Sequence, residues 1–300
     1  VIEAFKSDTT VDSSTKKSIQ IDKIPEILRD NTDRNRTSPF AFTGNKFELR
    51  AVGSSTNCAQ PMTTLNTAVA NQLIKFKAAV DAKIEQGKEI KAAIVEELKV
   101  VLAASENILF EGNNYSEEWE KEAEKRGLSN IKNTPESLRA YLSEQAKESF
   151  VKNGIFTEEE LHARFEIMLE EYTKKIQIEG RVMGELVYTY ILPPAINYLT
   201  TLAKNVTALK DAGMEVGDAQ KQIINRISVH IDEAKSLTDE MREARKRANK
   251  MEDSEQQAIT YFKEVKTKFD EIRYHVDKLE HLVDDSQWQL PKYRELLFIK

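Results

Sequence analysis

The sequence is poor in residues that cross-link or interrupt a chain, with one cysteine, 10 glycines and 7 prolines among 300 residues. A single cysteine excludes an intrachain disulfide and is compatible with a reducing cytoplasm. So few glycines and prolines provide few turns, which argues against an all-β architecture. The sequence also lacks an apolar run of about 18 residues and a GxxxxGK[ST] loop. We therefore expect neither a membrane-spanning helix nor a P-loop for ATP.

The chain is instead rich in charge. Charged residues make up 31% and hydrophobic residues 40% of the sequence, and the net charge is -6. This balance is typical of long helices with one face in water. A mildly acidic chain has no general attraction for nucleic acid or anionic membranes. We expect a cytoplasmic protein without nucleic-acid or membrane partners, whose start at Val1, in the middle of a pattern, indicates a truncated chain.

One segment of the polar N-terminal region alternates strictly between apolar and charged residues. Its residues are Lys46, Phe47, Glu48, Leu49, Arg50, Ala51 and Val52. Strict alternation predicts a β-strand, and side chains two residues apart on one face lie roughly 7 Å apart. A carboxylate between two cations suits a divalent metal beside a phosphate, since Mg²⁺ prefers carboxylate oxygen and Lys and Arg neutralise phosphoryl oxygens. The alternative is a solvated strand face with two surface ion pairs.

Two arginines, Arg34 and Arg36, lie just upstream of this strand. Guanidinium groups suit bidentate recognition of phosphate or carboxylate. On these residues alone, a charged loop is the alternative interpretation.

Helical periodicity begins at Pro61, breaks at Gly87 and at a turn over 112–116, and is then continuous up to a short mixed segment at the end of the chain. Thr134 is predicted as an N-cap, with a proline at the first helical position. Thr157 begins a capping box with the glutamate three residues later. A kink or break is expected at the Pro193-Pro194 pair, because proline has no N–H to donate.

Two heptad seams occupy the last third of the chain. The first consists of Ile223, Ile227, His230, Ala234, Leu237, Met241, Ala244, Ala248 and Met251. The second consists of Phe262, Val265, Phe269, Ile272, Val276, Leu279 and Val283. The small residues of the first can interdigitate with the large residues of the second, which predicts an antiparallel helical hairpin over 215–285. On this seam, we interpret His230 as a packed residue rather than a ligand.

The segment 31–50 resembles glutamine synthetases. It has Asn35-Arg36-Thr37, a glycine-containing link, and then Lys46-Phe47-Glu48-Leu49-Arg50. The full segment is similar to the type III class of that family. Three further segments carry the same resemblance: Leu161-His162-Ala163-Arg164-Phe165-Glu166, Lys175-Ile176-Gln177-Ile178-Glu179 and Leu290-Pro291-Lys292-Tyr293-Arg294-Glu295-Leu296.

The resemblance implies a ligase that makes glutamine from glutamate, ammonia and ATP through γ-glutamyl phosphate, with Mg²⁺ or Mn²⁺. By the same resemblance, Glu48 would bind metal near the γ-phosphate, and Arg50 would contact the glutamate side chain and its phosphorylated form. Arg36 would steady the transferring phosphoryl group, while Lys46 and the weaker candidate Arg34 would lie near the nucleotide phosphates. The family also implies a homo-oligomer of stacked rings, a dodecamer.

The sequence departs from the family pattern at one position, in the length of one link and in how much of the family's chain it contains. Ala41 stands where other classes place a further arginine, and the link between Arg36 and Glu48 is shorter than in type I enzymes. The family's other metal ligands, its N-terminal β-grasp domain and most of its barrel would lie upstream. We therefore expect an incomplete active site and a chain that is inactive alone.

These observations predict an α+β fold. A short β segment would complete the catalytic barrel, and a mainly α-helical region with the long antiparallel hairpin would follow. The predicted domains are 1–110, the end of the catalytic domain, and 111–300, a helical C-terminal domain. The alternative function is a non-catalytic helical scaffold or oligomerisation module, which composition and heptads alone would favour.

Overall fold

The computed structural model describes residues 16–17, 27–28, 40–42, 46–51, 53, 56–108 and 116–298. Within these ranges the chain is mostly helical, and the predicted mainly α-helical character is confirmed. No helix in the described ranges is both long and apolar enough to cross a membrane.

The strands form two short antiparallel pairs. β1 (Lys16–Lys17) pairs with β2 (Ile27–Leu28), and β3 (Phe40–Phe42) pairs with β4 (Phe47–Leu49). β4 lies inside the predicted strand but is shorter than it. Because so short a hairpin is marginal in water, it depends on whatever packs against it.

The helical elements follow in order. They are α1 (Ala59–Glu85), α2 (Ile90–Ala104), a 3₁₀ turn (Glu106–Ile108), α3 (Glu117–Lys125), α4 (Thr134–Leu138), a 3₁₀ turn (Arg139–Leu142), α5 (Glu144–Phe150), α6 (Glu158–Leu186), a π-helical segment (Val187–Ile191), α7 (Leu192–Asp211), α8 (Asp218–Ala248), α9 (Ser254–Thr260), a second π-helical segment (Tyr261–Lys266), α10 (Thr267–Leu282) and a 3₁₀ turn (Tyr293–Leu297).

Side-chain caps fix several helix starts. The predicted capping box of α6 is confirmed: the Thr157 hydroxyl accepts the Glu160 N–H at 3.2 Å, and the Glu160 carboxylate accepts the Thr157 N–H at 2.9 Å. The predicted cap of α4 is wrong by one residue. Asn133, in extended conformation, accepts the Glu136 N–H at 2.9 Å, so Thr134 is the first helical residue. The amide oxygen of Asn133 reaches the free N–H groups of the first turn from outside the helix.

The expected interruption at Pro193 and Pro194 takes the form of the π-helical segment Val187–Ile191, which directly precedes α7. Both prolines lack the N–H that would bond to a carbonyl four residues earlier. A widened turn accommodates these carbonyls, and the chain continues as helix without a loop.

The chain divides into two compact units. The first comprises 1–131 and 145–156, and the second comprises 132–144 and 157–300. In the first unit, Gly87 has a positive φ of 88°, which ends α1 and allows α2 to fold back along it. Across this pair Lys83 Nζ lies 2.8 Å from Glu97, and Ala93 is fully buried.

The second unit contains the larger core. Five residues of the first heptad seam are buried, namely Ile227, Ala234, Met241, Ala244 and Ala248. In the second seam, Tyr261 is fully buried whereas the predicted Phe262 is only half-buried. The reason is the π-helical segment Tyr261–Lys266, which changes the angle between successive side chains and brings Tyr261 onto the core face.

Three polar contacts join α8 to the helices that follow it. Arg247 lies 2.6 Å from Glu264, Lys268 lies 2.9 Å from Glu240, and His230 Nδ1 lies 3.0 Å from His275 Nδ1. Residues nearer the start of α8 thus contact residues further along the chain.

Candidate functional site

Strand β4 places three of the predicted site residues together. Lys46 Nζ lies 3.4 Å from Glu48 Oε1, and an Arg50 guanidinium nitrogen lies 3.6 Å from Glu48 Oε2. Because residues two apart share a strand face, the carboxylate is held between the two cations. Both interpretations of this face, a metal and phosphate site or a solvated strand, require this arrangement.

The side chains of Glu48 and Arg50 are less exposed than the two apolar residues of β4. The Glu48 side chain is 24% exposed and that of Arg50 27%, whereas Phe47 is 59% and Leu49 41% exposed. Ion pairs at such exposure contribute little to stability, about 1 kcal/mol or less. The third residue of this face, Lys46, is 65% exposed, so the shelter is confined to Glu48 and Arg50.

The register of the hairpin positions this face. Ala41 of β3 lies opposite Glu48, and Phe42 lies opposite Phe47. In an antiparallel pair, residues directly opposite share a face. The register therefore places Ala41 and Glu48 on the same face of the hairpin.

The remaining predicted site residues, Arg34 and Arg36, lie outside the described residues. Their roles stay predictions.

The donor set at β4 matches part of a metal site. A carboxylate is a suitable ligand for Mg²⁺ or Mn²⁺, and the flanking cations suit phosphate. Among the residues that the structure describes, no three His, Cys, Asp or Glu side chains are grouped closely enough to hold a metal. Glu48 would thus provide one ligand, and the coordination sphere would need further oxygen atoms.

Two polar arrangements were not predicted from the sequence. His230 and His275 meet across α8 and α10, where burial above all lowers the pKa of His230. Glu280 is 8% exposed, and burial raises the pKa of its carboxyl group. His230 lies on the first heptad seam, whereas His275 and Glu280 lie on neither seam, and the pairing of residues far apart in sequence gave no local signal.

Comparison with known proteins relates the chain to one family. Residues 93–210 match the family model described as the glutamine synthetase C-terminal domain. A glutamine synthetase from Bacteroides fragilis (strain YCH46) is 46% identical over 100% of this chain and 42% of the relative. A glutamine synthetase from Butyrivibrio fibrisolvens is 35% identical over 91% of this chain and 39% of the relative.

A third relative bears a class name. The type-3 glutamine synthetase of Dictyostelium discoideum is 34% identical over 98% of this chain and 40% of the relative. The chain therefore spans about two-fifths of the length of these relatives. These matches confirm the resemblance identified from the segment 31–50.

Proposed function

Because the chain belongs to the glutamine synthetase family, we propose that it forms part of a glutamate–ammonia ligase that uses ATP and a divalent metal. The reaction would pass through γ-glutamyl phosphate, which ammonia attacks. The observation that carries this proposal is the sheltered carboxylate of Glu48, held at 3.4 and 3.6 Å by Lys46 and Arg50. Phosphoryl transfer needs little more from a protein than positioning and charge neutralisation, which this face can provide.

Each residue of the face has a proposed role. Glu48 would hold Mg²⁺ or Mn²⁺ against the γ-phosphate. Arg50 would contact the glutamate side chain and its phosphorylated form, and Lys46 would lie near the nucleotide phosphates. Arg36 would steady the transferring phosphoryl group, with Arg34 as a weaker phosphate contact. Because one carboxylate cannot hold a metal tightly, the chain alone would make no glutamine.

The proposed architecture completes the catalytic barrel with the β segment. The exposure of Phe47 and Leu49 supports this, since a strand whose apolar residues are exposed is suited to pack against a further layer. The domains would be 1–110 and 111–300, the second containing an antiparallel hairpin over 215–285. The polar contacts between α8 and the later helices support the hairpin. The enzyme would be a cytoplasmic dodecamer of stacked rings with glutamate and ammonia as substrates.

A second candidate function is a helical scaffold or oligomerisation module. The observation in its favour is that the second unit has a hydrophobic core of its own, to which α6, α7, α8 and α10 contribute. Both functions can hold together, because the helical unit can build an assembly whose active site the β segment helps to form.

The substitution Glu48→Gln in the complete enzyme tests the catalytic proposal. It removes the charge of the ligand and keeps the shape of the side chain. We expect kcat to fall by about 100-fold or more, the loss of roughly 3 kcal/mol of electrostatic stabilisation. The apparent affinity for the divalent ion should fall as well, which a metal titration of activity would measure.

The control must be a glutamate outside any network. Glu97 is unsuitable, because it lies 2.8 Å from Lys83 across α1 and α2. Glu252, exposed in the turn between α8 and α9, is suitable, and Glu252→Gln should keep parental turnover. Parental turnover and metal dependence in Glu48→Gln would show that β4 carries only a solvated face.

Substitutions of the two cations separate their roles. Arg50→Lys keeps the charge but loses the planar fork, so it should impair glutamate use more than metal affinity. Lys46→Ala should mainly raise the KM for ATP.

A further inference from the structure

An apolar groove lies in the second unit, far along the chain from the β4 residues. It has a volume of about 610 Å³, which lies within the range of small-molecule sites. Helices α6 and α10, the π-helical segment Val187–Ile191 and the C-terminal residues 288–296 form its walls. Met183, Phe269, Ile272 and Trp288 are among the residues that line it.

The groove contains a buried carboxyl group. Glu280 lines it and is 8% exposed, and its Oε1 accepts the backbone N–H of Tyr293 at 3.0 Å. Burial raises the pKa of this carboxyl, and the neighbouring Asp277 raises it further. A carboxylate in an apolar site is costly unless a positive charge accompanies it.

Of the three basic residues whose charge acts on Glu280, namely His281, Lys292 and Arg273, the last two are paired with other carboxylates. Arg273 lies 2.9 Å from Asp277, and its guanidinium stacks over the ring of Tyr293 at 5.0 Å. Lys292 lies 2.5 Å from Asp285 and donates to the backbone carbonyl of Glu280 at 2.6 Å. Across the described range 116–298, no ion pair involves the Glu280 carboxylate.

A second carboxylate lies at the mouth of the groove. Glu179 lines it and is exposed, and it too has no ion pair among the residues that the structure describes. Around it stand the exposed apolar side chains Ile178 and Val182, 61% and 49% exposed. An entering cation would be attracted by Glu179, and its hydrocarbon part would cover these apolar surfaces.

We propose that this groove binds a small organic cation, an ammonium group on an apolar body, with the ammonium paired to Glu280. The rings of Trp288, Phe269 and Tyr293 line the groove and suit the hydrocarbon body of such a ligand, since aromatic rings pack against hydrocarbon. The groove shares no residue with the proposed catalytic face, and this proposal does not rest on that function.

Three probes of matched shape test the proposal on the full chain. They are 4-phenylbutylamine, 4-phenylbutanol and 4-phenylbutyrate, titrated by calorimetry and followed by tryptophan fluorescence. We expect saturable binding of the amine at one site, tighter than that of the alcohol by about tenfold, the usual value of one charged hydrogen-bonded pair. The carboxylate should bind more weakly than the alcohol.

Two variants locate the site. Glu280→Gln keeps the acceptor for the Tyr293 N–H and should remove the amine's advantage over the alcohol. Val182→Lys places a positive charge at the exposed mouth of the groove. It should weaken binding of the amine without affecting folding. Glu252→Gln is the matched control and should change neither affinity.

The contrary results are equally definite. Equal affinities for the three probes would show that the groove takes only hydrocarbon. An amine affinity unchanged by Glu280→Gln, or by Val182→Lys if the first variant does not fold, would show that the ammonium binds elsewhere. Either result overturns the proposal and leaves the catalytic one untouched.

Discussion

Replacing Phe269 with aspartate should disrupt the second unit. Phe269 lies on α10 and is 9% exposed. Its ring faces Gly180 of α6, where an added Cβ would lie 3.6 Å from Phe269 Cε1. That is an ordinary van der Waals distance, so the ring packs directly against α6 at Gly180. The substitution would remove this contact and place a carboxyl group in the core.

The magnitude follows from two costs. Truncating a buried phenylalanine destabilises a protein by about 3–5 kcal/mol. Burying an unpaired carboxyl adds a further cost of about 1–3 kcal/mol, even if the group becomes protonated. The sum, roughly 4–8 kcal/mol, is comparable to the whole stability of a typical domain, about 5–15 kcal/mol. We therefore expect the second unit to be partly or fully unfolded at room temperature.

The assay is urea denaturation followed by far-UV circular dichroism and by fluorescence of Trp288, which lies in the same core. Leu237→Asp should cost less, because Leu237 is only half-buried. The matched control is Val229→Asp on α8, since Val229 is 55% exposed; it should change the unfolding free energy by about 0.5 kcal/mol or less. If Phe269→Asp and Val229→Asp unfold at the same urea concentration as the parent, the packing of α10 on α6 and α8 is wrong.

Three further predictions concern stability. Burial lowers the pKa of His230 from 6.5, so the unfolded chain takes up a proton at this residue before the folded chain does as the pH falls. The free energy of unfolding should therefore decrease below about pH 6.5, and this decrease should be smaller in His230→Gln. Because burial raises the pKa of Glu280 from 4.5, its ionisation opposes folding as the pH rises through that value, so Glu280→Gln should be more stable than the parent at pH 7 and lose this advantage at acidic pH. Gly184→Ala should raise the free energy of unfolding by about 0.5–1 kcal/mol, because alanine has a higher helix propensity than glycine. The added methyl group would lie 3.7 Å from the flexible Arg242 side chain, which leaves room for it. A lower melting temperature of the variant would contradict this packing.

Much of the local structure could be predicted from neighbouring residues. The capping box at Thr157 needs only residues within one helical turn, and the alternation around Glu48 needs only the two-residue period of a strand. The family relation was likewise contained in the order of residues in 31–50. The length of β4 could not be predicted from the sequence, because a strand extends only as far as it is paired with its partner strand.

The pairing of helices was decided by the tertiary structure. His230 and His275 are far apart in sequence, and no local pattern says that their rings meet. The buried position of Tyr261 in place of Phe262 depends on the π-helical segment, which the heptad count does not reveal. A heptad seam shows which face of a helix is apolar. Which helix packs against that face depends on the apolar faces of all the other helices together.

The same distinction applies to the two sites. The sequence by itself determined the order of charges around Glu48, since a strand fixes which side chains share a face. Only the tertiary structure brought Glu280 into an apolar groove and placed Lys292 beside the backbone carbonyl of Glu280. Those relations depend on distances between α6, α10 and the C-terminal residues, and a carboxylate becomes costly only where such packing excludes water from it.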